Sequence, residues 1–292
     1  MRSVLKGYLQ LMRPANLPTA AADIFAGAAL AGVLTASIPV GFLVCLVFAS
    51  VFLYAGGVVL NDVFDLEVDQ LERPERPIPS GLIPLKSAAF FGIVLLVIGI
   101  VLAFLVNQRS GFIALGLAFA IVLYDGYSKK NGFLGPLNMG LCRGLNLILG
   151  MSILGEINHW YYALIPLTYI FAITLISRGE VHGNNKIHII WAGILYATVI
   201  SAVVTIVMKE TTNFWQTIPF LLLFAFLVFK PLLKAYQLNS PERIKKAVVA
   251  GVLSLIVLDA AMAVGFSVWW YGILLLLLLP LSIFLSKLFA VT

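Results

Sequence analysis

The chain is written mostly as long apolar runs parted by short polar breaks. Ten runs come near or pass the ~20 residues a helix needs to cross the hydrocarbon core. They cover 17–36, 38–61, 85–107, 110–128, 134–155, 159–179, 187–208, 213–236, 246–266 and 268–289. Each run is continuous, whereas a membrane barrel strand alternates apolar and polar positions. The pattern predicts an all-α fold, a polytopic transmembrane helix bundle, with residues 1–292 forming one membrane domain. Composition agrees: 11% of residues are charged, against roughly 25% in soluble domains.

The polar breaks differ in charge. With the N-terminus inside, the inner breaks and chain ends hold Arg2, Lys6 and Arg13, then Arg73, Arg76 and Lys86, then Lys129 and Lys130. Further along they hold Arg178 and Lys186, then Lys230, Lys234, Arg243, Lys245 and Lys246, then Lys287. Only Arg109 and Lys209 fall outside, and Arg143 completes the 19 from within a span. Basic residues favour the cytoplasmic side. The net charge of +6 therefore reflects topology and contact with anionic membrane lipid, so a nucleic-acid partner is not invoked. Cys45 and Cys142 lie in different spans, which rules out a disulfide framework or a zinc pattern. The first span is long and holds Asp23, unlike a cleaved signal peptide.

Three polar segments face the inner side: 61–84, 124–133 and 177–186. The first crowds Asp62, Asp65, Glu67, Asp69, Glu72 and Glu75 onto the end of a span. At 100° per residue Asp62, Asp65 and Asp69 share one helical face, Asn61 precedes Asp65 by one turn, and Glu67 points away. Like charges on one face repel, and a hard divalent cation such as Mg²⁺ turns that cost into binding. The bland alternative is a solvated helix end. Arg73, Arg76 and the Pro-set "PIPSG" turn follow, so carboxylates for a metal stand beside guanidinium groups for phosphate. Lys129 and Lys130 suit phosphate binding or simple positive-inside anchoring. Glu180 and Asn184, one helical turn apart, offer a second pair of oxygens. Within the spans, Arg143 either holds a diphosphate or pairs with Asp23 or Asp259. Asn16 and Asp23 share a face, and Trp160, Tyr161, Tyr162, Trp269 and Trp270 read as an interfacial aromatic belt.

Asn61-Asp62-x-x-Asp65-x-x-x-Asp69 followed by "RPERPIPSG" resembles the first Asp-rich motif of the UbiA superfamily of intramembrane prenyltransferases. "LMRPANLP" at 11–18 is similar to the opening segment of that family. "LYDGYSKKNGFLGPLNMG" at 123–140 is similar to its Tyr…Lys loop and the following Gly- and Asn-containing helix. The resemblance implies nine to ten helices around a central membrane cavity open toward the cytoplasmic side. Nine spans are usual in the family, which puts 268–289 in question. It also implies Mg²⁺ between the head group of a prenyl diphosphate and two Asp-rich motifs. Loss of diphosphate leaves an allylic cation, attacked by a small hydrophobic or aromatic acceptor.

By the same resemblance, Asp62, Asp65, Asp69 and Glu180 carry catalysis, and Asn61, Asp65, Asp69, Glu180 and Asn184 hold the metal. Substrate falls to Asn16, Arg73, Arg76 and Tyr124, with Lys129, Lys130, Asn138 and Arg143. The expected location is a bacterial inner (plasma) membrane, active site toward the cytoplasm. The second motif departs from the family: Glu180-Val181-His182-Gly183-Asn184 has Asn184 where an Asp is common, and His182 in place of an acid. His182 points away from Glu180 on a helix and suits a helix-end or acceptor contact. This variant resembles a UbiA-like subgroup from bacterial biosynthetic clusters. The alternative function is a UbiA-fold protein that binds or moves a prenylated lipid without chemistry. A CDP-alcohol phosphotransferase is disfavoured, because "DGYSKK" lacks the Ala-Arg and the later Asp ladder of that family.

Overall fold

A bilayer core offers no water to backbone amides, so each apolar run satisfies its own hydrogen bonds as a helix. The computed structural model describes residues 3–36, 38–180 and 183–289. Short α1 (Val4–Leu11) precedes α2 (Leu17–Leu30), α3 (Val40–Phe64) and α4 (Leu66–Glu72). Then come α5 (Leu85–Val106), α6 (Gln108–Gly126), α7 (Leu134–Met151), α8 (Leu164–Ser177) and α9 (Lys186–Glu210). The chain ends with α10 (Phe214–Leu238), α11 (Pro241–Phe266), α12 (Trp269–Leu276) and α13 (Leu278–Leu288).

Among the described residues, 9 helical stretches are long and apolar enough to cross a membrane, and the protein is an integral membrane protein. The last of them, Trp269–Leu288, is formed by α12 and α13 together. The expected span 17–36 is the short one. Its helix α2 has 14 residues, about 21 Å at 1.5 Å per residue, and turns follow at 31–35. Buried along nearly all its length, α2 forms the centre of the bundle with α11 and α7.

Small residues let α2 and α7 touch backbone to backbone, the usual device where both faces of a contact are apolar. A Cβ on Gly27 would lie 2.4 Å from the Leu147 carbonyl oxygen, and one on Gly150 would lie 2.7 Å from that of Ile24. This approach lets polar side chains of the two helices meet inside the bundle. Arg143 Nε lies 2.8 Å from Asp23 Oδ2 and its Nη2 donates to the Thr19 carbonyl at 2.7 Å. Asn146 Nδ2 donates to Asp23 Oδ2 at 2.7 Å, and Ser50 Oγ of α3 donates to Asn146 Oδ1 at 2.7 Å.

The inter-helix bonds gather the inner breaks at one end. Arg13 reaches Asp62, Lys129 reaches Asp65, and Arg178 donates to the Gly132 carbonyl. Asn185 N–H donates to Asn239 Oδ1 at 3.0 Å, and Ser282 of α13 donates to the Ala15 carbonyl. The α1 turn, the α3–α4 junction, the α6–α7, α8–α9 and α10–α11 connections and the end of α13 therefore share one face. Trp160, Trp269 and Trp270 are exposed, as an aromatic belt requires, but Tyr162 is 1% exposed and belongs to the core.

Candidate active site

The acidic stretch keeps its helical register past the end of α3. Asp65 has φ −92° and ψ 9° at the junction with α4, yet the i→i−4 bonds run on, from Asp65 N–H to Asn61 (2.9 Å), Asp69 to Asp65 (2.8 Å) and Arg73 to Asp69 (2.9 Å). Asp62 and Asp69 therefore stay on one face, and both are buried, while Glu67 is exposed. The loop after α4 folds back because Ile78 and Ile83 bury themselves against Leu11 and Val59. That turn aims Arg76 at the acidic face.

Arg76 Nη1 lies 3.2 Å from Asp62 Oδ1 and 2.6 Å from Asp69 Oδ2. Arg13, from the turn between α1 and α2, meets Asp62 Oδ1 at 2.5 Å. Its backbone is left-handed, with φ 47°, which few side chains tolerate without a reason. Arg73 is 3.7 Å from Asp69, and Lys129 is 2.6 Å from Asp65. Asn61 Nδ2 donates to Asp125 Oδ1 at 2.8 Å. Tyr124 and Asn16 are half-buried nearby in the chain, and Lys130 is exposed.

The second segment differs from its expected form. Residues 178–180 are a turn and 183–185 are non-helical, so Glu180 and Asn184 are not a helical pair. Gly183 and Asn184 both have positive φ (66° and 53°), a backbone that a helix cannot continue. Asn184 is exposed; its neighbour Asn185 is the buried one, donating from Nδ2 to the Leu175 and Ile176 carbonyls at the end of α8. His182 lies outside the described residues. Glu180 is half-buried, and burial pushes its carboxyl above the usual range, opposed by the charges of Lys245 and Arg73. Arg73 thus acts electrostatically on both Asp69 and Glu180.

Two expected substrate residues are engaged elsewhere. Asn138 Nδ2 donates to the Ala120 carbonyl (3.2 Å) and Ser128 Oγ (3.1 Å), tying α7 to α6. Arg143 pairs with Asp23, away from the acidic rim. Conversely, Arg13 and Asp125 stand at the rim and were not singled out from sequence. Both belong to stretches that the sequence marks, "LMRPANLP" and "LYDGYSKK", but Arg13 has no charged neighbour at helical spacing there.

The oxygen donors of Asn61, Asp62, Asp65 and Asp69 suit a hard divalent cation in kind. Among the described residues no three acidic, His or Cys side chains converge as a ready metal cage. The three motif carboxylates are each turned to an arginine or lysine instead. A cation and its anionic ligand would exchange with these basic groups, which are themselves suited to phosphate oxygens.

The model of the UbiA prenyltransferase family matches residues 20–250. The chain belongs to this family. A digeranylgeranylglyceryl phosphate synthase of Methanococcoides burtonii is 41% identical over 157 residues, which is 52% of this chain and 56% of that protein. One from Sulfurisphaera tokodaii is 31% identical over 217 residues, 71% of this chain and 77% of the relative. The fold is that of a UbiA homologue from Archaeoglobus fulgidus, a structure bound to GPP and Mg²⁺. The TM-score is 0.66 at 15% identity, covering 84% of this chain and 99% of that one.

Proposed function

We propose that the protein is a Mg²⁺-dependent prenyltransferase that joins a prenyl chain to a glyceryl phosphate already carrying one such chain. One observation carries the reading: carboxylates of the first motif and cations from three separate stretches meet at one end of an apolar bundle. The acceptor class rests on the curated relatives, whose names specify a glyceryl phosphate bearing two geranylgeranyl chains. It replaces the aromatic acceptor expected from sequence. Those relatives are archaeal, which removes the ground for a bacterial membrane. The basic bias of the inner breaks supports a cytoplasmic rim.

Asn61, Asp65 and Asp69 would hold Mg²⁺, with Glu180 near enough to Arg73 to belong to the same charge cluster. When bound, the metal neutralises charge on the diphosphate leaving group. Arg13, Arg76 and Lys129 leave their carboxylates for diphosphate oxygens, where they stabilise the charge that develops as the allylic C–O bond breaks. As the allylic C–O bond breaks, the acceptor hydroxyl oxygen bonds to the prenyl carbon, and its proton passes to the departing diphosphate. The apolar helices around the rim exclude water that would otherwise capture the carbon centre.

The test uses purified protein in liposomes with labelled geranylgeranyl diphosphate, with and without Mg²⁺. Geranylgeranylglyceryl phosphate and 4-hydroxybenzoate are offered as competing acceptors. A product formed only with Mg²⁺ and the glyceryl phosphate is expected. Transfer to the aromatic acceptor alone would overturn the acceptor assignment. Prenyl diphosphate bound but never cleaved would favour the carrier reading instead.

A further inference from the structure

Asp125 lies on the last turn of α6, 3% exposed, in contact with the first residue of the acidic motif. Its Oδ1 accepts from Asn61 Nδ2 at 2.8 Å. Asp62, Asp65 and Asp69 each pair with an arginine or lysine, but Asp125 makes no ion pair among the described residues. It is thus held to the rim by the amide of Asn61 and by its own helix.

The bond decides which way the amide faces. The two ends of an Asn side chain are nearly equal in size, and an ionised carboxylate accepts only from the NH₂ end. With Nδ2 committed to Asp125, the carbonyl oxygen of Asn61 faces away from it and remains available as a hard oxygen donor. An alanine at 125 would leave the amide free to rotate and present NH₂, which repels a cation.

We propose that Asp125 is a positioning residue, which holds the Asn61 carbonyl oxygen toward the Mg²⁺–diphosphate site. This deepens the reading of the protein as a Mg²⁺-dependent prenyltransferase and rests on it. Partners that orient a metal ligand through such a bond typically change metal affinity by about 10–100-fold when removed. The sequence signal is an acidic residue at the inner end of a span, directly after Tyr124.

The test measures metal affinity directly, by Mn²⁺ electron paramagnetic resonance on protein in nanodiscs loaded with a non-cleavable geranylgeranyl thiodiphosphate. Asp125→Ala should weaken Mn²⁺ binding about 10-fold or more. Asp125→Asn should keep most of the affinity, since its carbonyl accepts the same bond. Combining Asp125→Ala with Asn61→Ala should be no worse than Asn61→Ala alone, because the one residue acts through the other. Thermal unfolding checks each variant, and Asp125→Ser, too short to reach Asn61, replaces the alanine if that fails to fold. Additive losses, or Asp125→Asn as damaging as Asp125→Ala, would overturn the proposal and make the charge of Asp125 itself the active feature. Unchanged affinity in Asp125→Ala would overturn it too, leaving the bond a tie between α3 and α6. Wild-type protein that binds no Mn²⁺ with the thiodiphosphate would sink the Mg²⁺-dependent reading, and this inference with it.

Discussion

Replacing Arg76 by alanine separates the structural and chemical roles of the rim. Arg76 is 12% exposed and bridges Asp69, at 2.6 Å and 2% exposed, with Asp62, at 3.2 Å and 8% exposed. Without it, Asp62 keeps Arg13, but Asp69 keeps only Arg73 at 3.7 Å, a side chain that is 48% exposed. Breaking a buried pair from one side costs about 3–5 kcal/mol, because the remaining charge is left desolvated. The residual Arg73 contact places the expected loss near the lower end, about 3 kcal/mol. At about 2–4 °C per kcal/mol for large domains, the unfolding midpoint in detergent should fall by roughly 6–12 °C. Asp65→Ala provides the contrast. Its one ion pair, with Lys129, involves a carboxylate that is 31% exposed, so the stability cost should be about 1 kcal/mol or less. The same Asp65 variant should nonetheless lose Mg²⁺-dependent binding of prenyl diphosphate. Differential scanning fluorimetry and a filter-binding assay on both variants give the two axes. Equal shifts in melting for Arg76→Ala and Asp65→Ala would refute the burial argument.

Gly27→Ala should destabilise by about 3 kcal/mol, the upper part of the overpacking range. Its Cβ would meet backbone atoms of Leu147 and Met151 at 2.4 and 2.7 Å, whereas Gly116→Ala meets nothing within 4 Å; matched melting points would disprove the close-approach account of α2 and α7. Glu180→Gln should stabilise the protein at neutral pH. Burial raises the native carboxyl above its usual value, so its favourable contribution is present in acid and is lost as pH rises through the native pKa. The gain should vanish below about pH 4, where the unfolded carboxyl is protonated too, and a gain that is constant across pH would contradict this sign.

Much of this fold was legible because lipid leaves the backbone few choices. Continuous apolar runs gave helices, and period 3.6 placed Asp62 and Asp69 together and turned Glu67 to the exterior, where it is found. Periodicity failed where the helix stopped. Glu180 and Asn184 were spaced for one face, but α8 ends at Ser177, and the positive φ of Gly183 and Asn184 takes the chain elsewhere. Contacts between helices were not legible either. Arg13 and Asp62 are 49 residues apart in the chain, and the packing of α1 against α3 and the 73–84 loop brings them together. Tyr162 misled because an aromatic at a span boundary reads as interfacial, yet its ring is stacked against His159 and packed near Phe266.

The shortness of α2 has a deeper cause. Hydropathy measures preference for an apolar medium, and a lipid tail and a protein interior are equally apolar. A run of Ala and Gly therefore scores as a span whether it faces lipid or other helices. What distinguishes the two is the polar residue within the run. Asp23 is 0% exposed, and both Arg143 and Asn146 reach it from α7. A carboxylate facing lipid has no such partners, so a charge in an apolar run marks a face turned toward protein. Thr19, whose carbonyl accepts from Arg143, and Asp23 lie on that face one turn apart, with Gly27 a further turn along. The small residue and the acid thus read as one signal: a helix built to be surrounded by others.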